Sequence, residues 1–158
     1  MRGVHWFRGD LRLRDNTALS ELARQCDEIG FVFVLDERLL ASPRTGAARV
    51  RLLLDCVERL AKDLDERGHV LHVLRGEPEG EIDALLERAG ADCLSFNRST
   101  TPYGRARDER VRAAAERHGV RVLDAKDAVV FEADEVRTKS GDLYQVFTPY
   151  QRTWNERL

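Results

Sequence analysis

Charged side chains of both signs crowd the segment that follows the first apolar stretch of the chain. After Trp6 and Phe7 the sequence reads RGDLRLRD, where five of eight residues are charged: Arg8, Asp10, Arg12, Arg14 and Asp15. Guanidinium groups donate in a planar fork to acceptor oxygens, and carboxylates accept N–H groups. Such a set suits the binding of a polar ligand. A solvated turn is the plainer alternative, and both remain open on these residues alone.

Two later segments also carry residues that could contact a ligand or a partner. The stretch NRSTTPYGRARD, residues 97–108, follows an apolar run, and Pro102 and Gly104 shape it into a loop that leads to an Arg-rich helix start. The stretch YQVFTPYQRTW, residues 144–154, is aromatic and predicts a surface that a partner covers.

Several common catalytic motifs are absent from the sequence. It contains no GxGxxG, GxxxxGK or GxSxG, which argues against dinucleotide dehydrogenases, P-loop enzymes and hydrolases with a nucleophile elbow. The three cysteines form no CxxC pair, which argues against a zinc site or a disulfide framework and favours a reducing, cytoplasmic location.

The charge balance gives no general reason to expect nucleic-acid binding by this chain. Lys and Arg number 26 against 28 for Asp and Glu, so the net charge is −2. The apolar runs are strand-length and too short for a membrane span, so we expect no membrane partner.

Alternating apolar runs and helical stripes predict the elements that position these residues. Continuous apolar runs, typical of parallel strands covered on both faces, occur at residues 4–7, 29–35, 70–74, 93–96 and 120–123. Apolar residues at steps of three and four mark helices between them, for example Val57, Leu60 and Leu64. The pattern predicts an α/β fold: a doubly wound, Rossmann-like, five-stranded parallel sheet with helices on both faces.

Residues that can cap helix ends support this assignment, and the fold that it predicts locates a ligand crevice. Asp15 or Asn16 can cap the first helix, and Gly68, Gly90 and Gly119 follow later helices. Ligands of such sheets bind beyond the carboxyl ends of the strands, near the point where strand order reverses. The segment from Arg8 onwards is therefore expected at this crevice.

The periodic pattern changes near residue 130. We predict an α/β domain over residues 1–130, and a hairpin followed by the start of a linker over residues 131–158. Lys139–Asp142 is a turn signal, and Phe147, Tyr150 and Trp154 would share one helical face that nothing in this chain covers. We therefore expect Phe147 and Trp154 to be substantially exposed.

Taken together and in order, three motifs resemble the N-terminal, antenna-binding domain of the DNA photolyase and cryptochrome family. They are WFRGDLRLRDNTAL at residues 6–19, the turn Gly76-Glu77-Pro78 and YQVFTPYQRTW at residues 144–154. The first is more similar to bacterial class I pyrimidine-dimer photolyases than to animal cryptochromes, whose loop usually differs at the position of Asp10.

The resemblance implies a division of labour within a longer, cytoplasmic protein. This α/β domain would hold a light-harvesting pigment, and a helical C-terminal domain would bind FAD, contacting this chain through Phe147, Tyr150 and Trp154. Excited, reduced FAD would pass an electron to a cyclobutane dimer in damaged DNA and receive it back after the ring splits. DNA would be bound only by the full-length photolyase, so the fragment is not expected to be catalytic.

The same resemblance implies a set of pigment-binding residues in the crevice. They are Arg8, Asp10, Val34, Asp36, Arg49, Asn97 and Tyr103. Each has a plainer interpretation as a cap or salt bridge, and Asp36 and Arg49 are evenly balanced between the two. We expect Asp10→Ala to weaken pigment binding more than folding.

The pigment implied by the resemblance is a deazaflavin. The folate-binding branch carries an amide and a carboxylate where this chain has Tyr103 and Gly104, whereas PYGRARD at residues 102–108 is more similar to the deazaflavin branch. FMN or FAD, methenyltetrahydrofolate and an empty pocket are the alternatives. A cryptochrome-type signalling domain and an unrelated nucleotide-binding protein of universal-stress type are the competing functions.

Overall fold

A computed structural model describes residues 1–43, 45–127, 129–132 and 134–158. Five strands and six helices occur in these residues: β1 (Arg2–Phe7), α1 (Thr17–Gln25), β2 (Glu28–Asp36), α2 (Glu37–Leu40), α3 (Ala47–Asp65), β3 (Leu71–Gly76), α4 (Pro78–Ala89), β4 (Cys93–Asn97), α5 (Pro102–Arg117), β5 (Arg121–Ala125) and α6 (Phe147–Glu156).

The five strands form one parallel sheet in the order β3-β2-β1-β4-β5. In its centre Phe7 lies opposite Phe33 of β2, and Phe33 lies opposite Val73 of β3. The chain winds outwards from β1 to β3 and then returns to the other side of β1, so strand order reverses between β1 and β4. This confirms the predicted doubly wound α/β fold and puts the reversal point beside β1.

Apolar side chains bury both faces of the sheet. On one face, Trp6 and Phe96 pack with residues of α4 and α5, such as Ile82 and Val111. On the other, phenylalanines of β1 and β2 pack against Leu60 and its neighbours in α3. Because successive side chains of a strand point to opposite faces, the continuous apolar runs supply both layers.

Helix ends follow the capping chemistry of the sequence. Asn16 is the N-cap of α1, and its side chain accepts a hydrogen bond from the Leu19 N–H at 3.1 Å. Gly90 closes α4 in the left-handed region at φ 56°. The short helix α2, which periodicity did not predict, is capped by Asp36. A four-residue helix has no room for an apolar stripe.

The chain divides into two compact units, residues 1–127 and 128–158. In the second unit the predicted turn is present: Arg137 and Leu143 form an antiparallel bridge, and Thr138 N–H donates to the Asp142 carbonyl at 2.9 Å. None of the helices in the described residues has the length and apolar character needed to cross a lipid bilayer.

The aromatic residues of α6 differ in their exposure to solvent. Phe147 is 70% exposed, as predicted. Trp154 is half-buried instead of substantially exposed, because it packs edge-on against Phe131, with ring centroids 5.7 Å apart. Tyr150 contacts Tyr144 and Phe147.

Candidate functional site

A cavity of about 530 Å³ opens at the carboxyl ends of β1 and β2, beside the point where strand order reverses. This is the position at which sheets of this class bind ligands. The walls combine apolar side chains of β2, α2 and α3 with polar groups of the loop after β1, the end of β2, the loop before α5 and α5 itself. The described lining residues are Trp6, Arg8, Gly9, Phe33, Val34, Asp36, Leu39, Leu40, Leu53, Ser99, Thr101, Tyr103, Gly104 and Arg107.

Arg8 is a buried cation fixed against aromatic rings. Its guanidinium carbon lies 4.9 Å from the centroid of the Trp6 ring and 4.8 Å from that of Phe96, and the group is ion-paired with Asp108. Burial lowers the pKa of Arg8 from its ordinary value, and the Asp108 carboxylate opposes that shift. The guanidinium is therefore held between the Asp108 carboxylate and two aromatic rings.

Asp36, at the end of β2, joins the two sides of the cavity. One carboxylate oxygen accepts the backbone N–H of Arg38 at 3.1 Å, and the other accepts the hydroxyl of Tyr103 at 2.7 Å. Arg107 Nη1 lies 4.0 Å from the same second oxygen. Burial and the bond to Asp36 raise the pKa of Tyr103 to about 12, so its hydroxyl remains a donor at neutral pH.

Asp108 holds the loop before α5 in place. It is buried, receives the ion pairs of Arg8 and Arg107, and accepts the Ser99 N–H at 3.1 Å. Two buried guanidinium groups thus face two buried carboxylates, those of Asp36 and Asp108. The polar wall is balanced in charge.

Asp10 belongs to a hydrogen-bond network and is not among the described residues that line the cavity. It accepts the Arg8 N–H at 2.9 Å and the side-chain amides of Asn97 and Asn16 at 2.5 and 3.3 Å. Asn97 also accepts the Ala18 N–H at 2.9 Å. The network ties the loop after β1 to α1 and to the end of β4.

His5 extends this network into the core. It is fully buried, its Nδ1 lies 2.7 Å from Ser95 Oγ, and its Nε2 lies 3.5 Å from the Asn16 amide. Burial lowers its pKa to about 4, against the opposing effect of the Asp10 carboxylate. His5 is therefore neutral at pH 7.

Two buried N–H groups at the cavity have no acceptor within the described residues. They are Nε1 of Trp6, which is 1% exposed, and Nε of Arg107, which is 7% exposed. Both atoms have almost no surface open to the cavity, so they are unpaired donors within the packed wall and not contacts offered to a ligand. The apolar walls and the few fixed polar groups of the cavity fit a flat, polar-edged pigment.

The structure brings together four of the seven residues expected at the crevice. Arg8, Val34, Asp36 and Tyr103 line the cavity. Asp10 and Asn97 lie in the adjoining network. Arg49 is exposed in the first turn of α3 and is not among the described lining residues.

Sequence reasoning missed Trp6 and Arg107 as site residues. The alternation of side chains along a strand could have predicted Trp6, because it precedes Arg8 by two positions and alternate residues of a strand lie on the same face. A helix signal could have found Arg107, which follows Tyr103 by four positions and therefore lies on the same side of α5.

The first turn of α5 lies so close to the loop before it that position 104 must be glycine. A Cβ placed there would overlap the Ser99 side chain and lie 2.9 Å from Thr101 Oγ1, which itself accepts the Gly104 N–H at 3.1 Å. Thr101 is the N-cap of α5, so the glycine lets the helix start pack directly on the cavity wall.

Two solved structures show the same architecture. The chain superposes on an archaeal photolyase from Sulfolobus tokodaii with a TM-score of 0.80 and 29% identity, covering 99% of this chain and 34% of that one. For a bacterial class III photolyase from Agrobacterium tumefaciens the TM-score is 0.87 and the identity 28%, covering 98% and 31%.

Curated relatives and a family model agree with the structural match. The chain is 33% identical over 151 residues to a deoxyribodipyrimidine photo-lyase of Synechococcus, and 33% identical over 141 residues to cryptochrome-1 of Gallus gallus. These matches cover 96% and 89% of this chain, but only 31% and 23% of the length of the two relatives. The DNA photolyase model matches residues 3–158, and the chain therefore belongs to the DNA photolyase family.

Proposed function

We propose that this chain is the light-harvesting N-terminal domain of a deoxyribodipyrimidine photolyase and that its cavity binds the antenna pigment. The observation that carries the proposal is the ligand-sized cavity, with apolar walls and fixed polar groups, at the reversal point of the sheet. The structure of the Sulfolobus photolyase is described as containing two FAD molecules and implying a light-harvesting cofactor. That description supports a pigment role for the equivalent domain here.

The pigment we propose first is a deazaflavin, followed by FMN or FAD and then by methenyltetrahydrofolate. A bound pigment would absorb near-ultraviolet or blue light and supply excitation energy to FAD in a second domain. Leu39, Leu53 and Val34 would give it apolar walls, and Tyr103 would close one side while hydrogen-bonded to Asp36. The fixed Arg8 and Arg107 side chains would orient its polar edge.

A second domain of the longer protein would bind FAD and the DNA lesion. The chain spans less than a third of the length of the two curated relatives named above, and that share supports a multidomain protein. We propose that Phe147, Tyr150 and Trp154 of α6 contact that domain, with the exposed Phe147 ring as the main contact. The net charge of this chain is close to zero, at −2, which agrees with the binding of damaged DNA by the second domain.

Absorption titrations of this chain test the pigment site. We would add 8-hydroxy-5-deazariboflavin, FMN and methenyltetrahydrofolate in turn and expect one to bind saturably. Leu53→Trp should block binding because Leu53 lines the cavity, whereas Leu52→Trp is the matched control, since Leu52 precedes it in α3 and is 63% exposed. If no pigment binds to the folded chain, or if both variants bind as wild type does, the site is not the one described.

A cryptochrome-type signalling protein is the second candidate. The observation that favours it is the equal identity, 33%, to the Synechococcus photolyase and to cryptochrome-1. The full-length protein separates the two functions. Illumination should split cyclobutane dimers in an oligonucleotide if it is a photolyase, and should leave them intact if it is a cryptochrome.

A further inference from the structure

Two of the three cysteines pack together between α1 and the sheet. Cys26 is the C-cap of α1, Cys93 is the first residue of β4, and both belong to one cluster of buried side chains with Leu22. Both are free thiols. A buried cysteine usually acts as a small apolar side chain, but two thiols in one cluster can also be joined by oxidation.

A glycine in β1 provides the space in which the two thiols meet. Gly3 is paired with Cys93 in the parallel register, and paired residues of neighbouring strands point to the same face of a sheet. Cys26 Sγ lies on that face, 3.0 Å from the position that a Cβ of residue 3 would occupy. The Cys26 sulfur therefore lies beside Cys93, and neither α1 nor β4 has to unfold for the two thiols to react.

The two thiols differ in exposure and in charged neighbours. Cys26 is 8% exposed, whereas Cys93 is fully buried, so a small oxidant meets Cys26 first. Arg121, at the exposed start of β5, donates from Nη2 to Cys93 Sγ at 3.3 Å. This hydrogen bond raises the pKa of Arg121, so the guanidinium stays charged beside the sulfur. A cationic neighbour is typical of reactive cysteines.

We propose that Cys26 and Cys93 form a modification site, at which hydrogen peroxide converts the two thiols into a reversible disulfide. Cys26 Sγ attacks one peroxide oxygen, the O–O bond breaks, and the thiol becomes a sulfenic acid while the hydroxide leaves with the thiol proton as water. Cys93 Sγ then attacks the sulfenic sulfur, the S–S bond forms, and a second water leaves with the Cys93 proton. Two thiols are oxidised by one peroxide, and a small thiol reverses the reaction by exchange.

The site lies at the opposite end of the sheet from the cavity. Gly3 and Cys93 are near the amino ends of β1 and β4, whereas the cavity opens at the carboxyl ends of the strands. The inference is therefore independent of the proposed pigment function. Burial and the hydrogen bond with Cys93 raise the pKa of Cys26, so the first step should be slow at neutral pH, because the thiolate is the nucleophile.

Peroxide treatment of the folded wild-type chain tests the site. After treatment, the remaining thiols are alkylated before digestion, and mass spectrometry should then show the peptides of Cys26 and Cys93 joined by a disulfide. Dithiothreitol should restore both thiols. The midpoint of urea denaturation should rise on oxidation and return on reduction, because a link between residues 26 and 93 restricts the unfolded chain.

Single variants identify the thiols that react. Cys26→Ala and Cys93→Ala each remove one partner, so the same treatment should give no disulfide and no rise in the urea midpoint. Cys56→Ala is the matched control, because Cys56 lies in α3, which packs elsewhere on the sheet against Phe31 and Phe33, and this variant should behave as wild type does. Cys26→Ala keeps the test decisive if Cys93→Ala does not fold.

Three outcomes would overturn the inference. The first is a wild-type chain that keeps Cys26 and Cys93 as thiols under conditions that fully oxidise glutathione in the same solution. The second is a disulfide that includes Cys56 or joins two chains. The third is oxidation of Cys26 to a sulfinic acid without an S–S bond. All three are measured without pigment, so none of them bears on the light-harvesting proposal.

Discussion

At the scale of single residues, His5 makes the stability of the fold sensitive to acid. Its pKa is near 6.5 when unfolded and about 4 in the folded core, where Asp10 and Asp127 partly oppose the effects of burial and of Arg8. The unfolded chain therefore binds the proton first as pH falls. Stability from this residue is complete above pH 6.5 and declines towards pH 4, by up to about 3 kcal/mol.

Urea denaturation between pH 4 and pH 7.5 measures this contribution. The wild-type free energy of unfolding should fall more steeply in that range than that of His5→Gln, which has no titrating side chain at this position. Parallel profiles for the two proteins would show that the acid sensitivity comes from other groups.

Asp10 is a second residue whose role the hydrogen bonds redefine. Asp10→Ala leaves the Asn97 and Asn16 amides and the Arg8 N–H without that acceptor, so we expect a loss of about 1–3 kcal/mol in stability. Pigment affinity should fall to a similar extent because the Arg8 backbone at the cavity loses its hydrogen bond to Asp10, and this replaces the expectation of a mainly functional loss. Urea denaturation and pigment titration of the same sample test this, and Arg14→Ala, at an exposed position, is the control. A loss of affinity without a loss of stability would instead indicate that Asp10 contacts the pigment directly.

At the scale of elements, the start of α5 depends on a residue without a side chain. Gly104→Ala would force a Cβ into the Ser99 side chain, and relief of that overlap must move the loop that lines the cavity. We expect a loss of about 1–3 kcal/mol in stability, typical of overpacking, together with weaker pigment binding.

The chain supplies a matched control for this substitution in α4. Gly80 is likewise the third residue of a helix that begins with proline, and a Cβ there meets nothing within 4 Å. Gly80→Ala should stabilise the protein by up to about 1 kcal/mol, because alanine favours helices. Thermal melts of both variants give the comparison, and equal effects would mean that the Ser99 contact is unimportant.

At the scale of the whole molecule, Phe147 should matter only when a second domain is present. The ring is 70% exposed, so Phe147→Ser should change the stability of this chain by no more than about 0.5 kcal/mol. In the full-length protein the same substitution should cost more, because a buried aromatic ring contributes more to stability. Denaturation of both proteins measures the difference, and a small effect in both would remove Phe147 from the proposed interface.

How far the sequence predicts this molecule depends on whether a feature is local. Apolar runs and the glycine after α4 predict strands and helix ends because neighbouring residues determine backbone conformation. The sheet follows from them, since right-handed crossovers leave few arrangements for alternating strands and helices. The sequence predicted four residues that line the cavity, and three of them lie at or near strand ends. It did not predict that Asp10 belongs to a hydrogen-bond network.

The sequence by itself determined the α/β class, the doubly wound sheet and the edge at which a ligand would bind, because periodicity and capping act over a few residues. Only the tertiary structure decided which polar groups face the cavity. Arg8 is paired with Asp108, which lies one hundred positions later, and Tyr103 with Asp36 across the crevice. These pairings depend on packing between distant segments, and so does the absence of acceptors, within the described residues, for Trp6 Nε1 and Arg107 Nε.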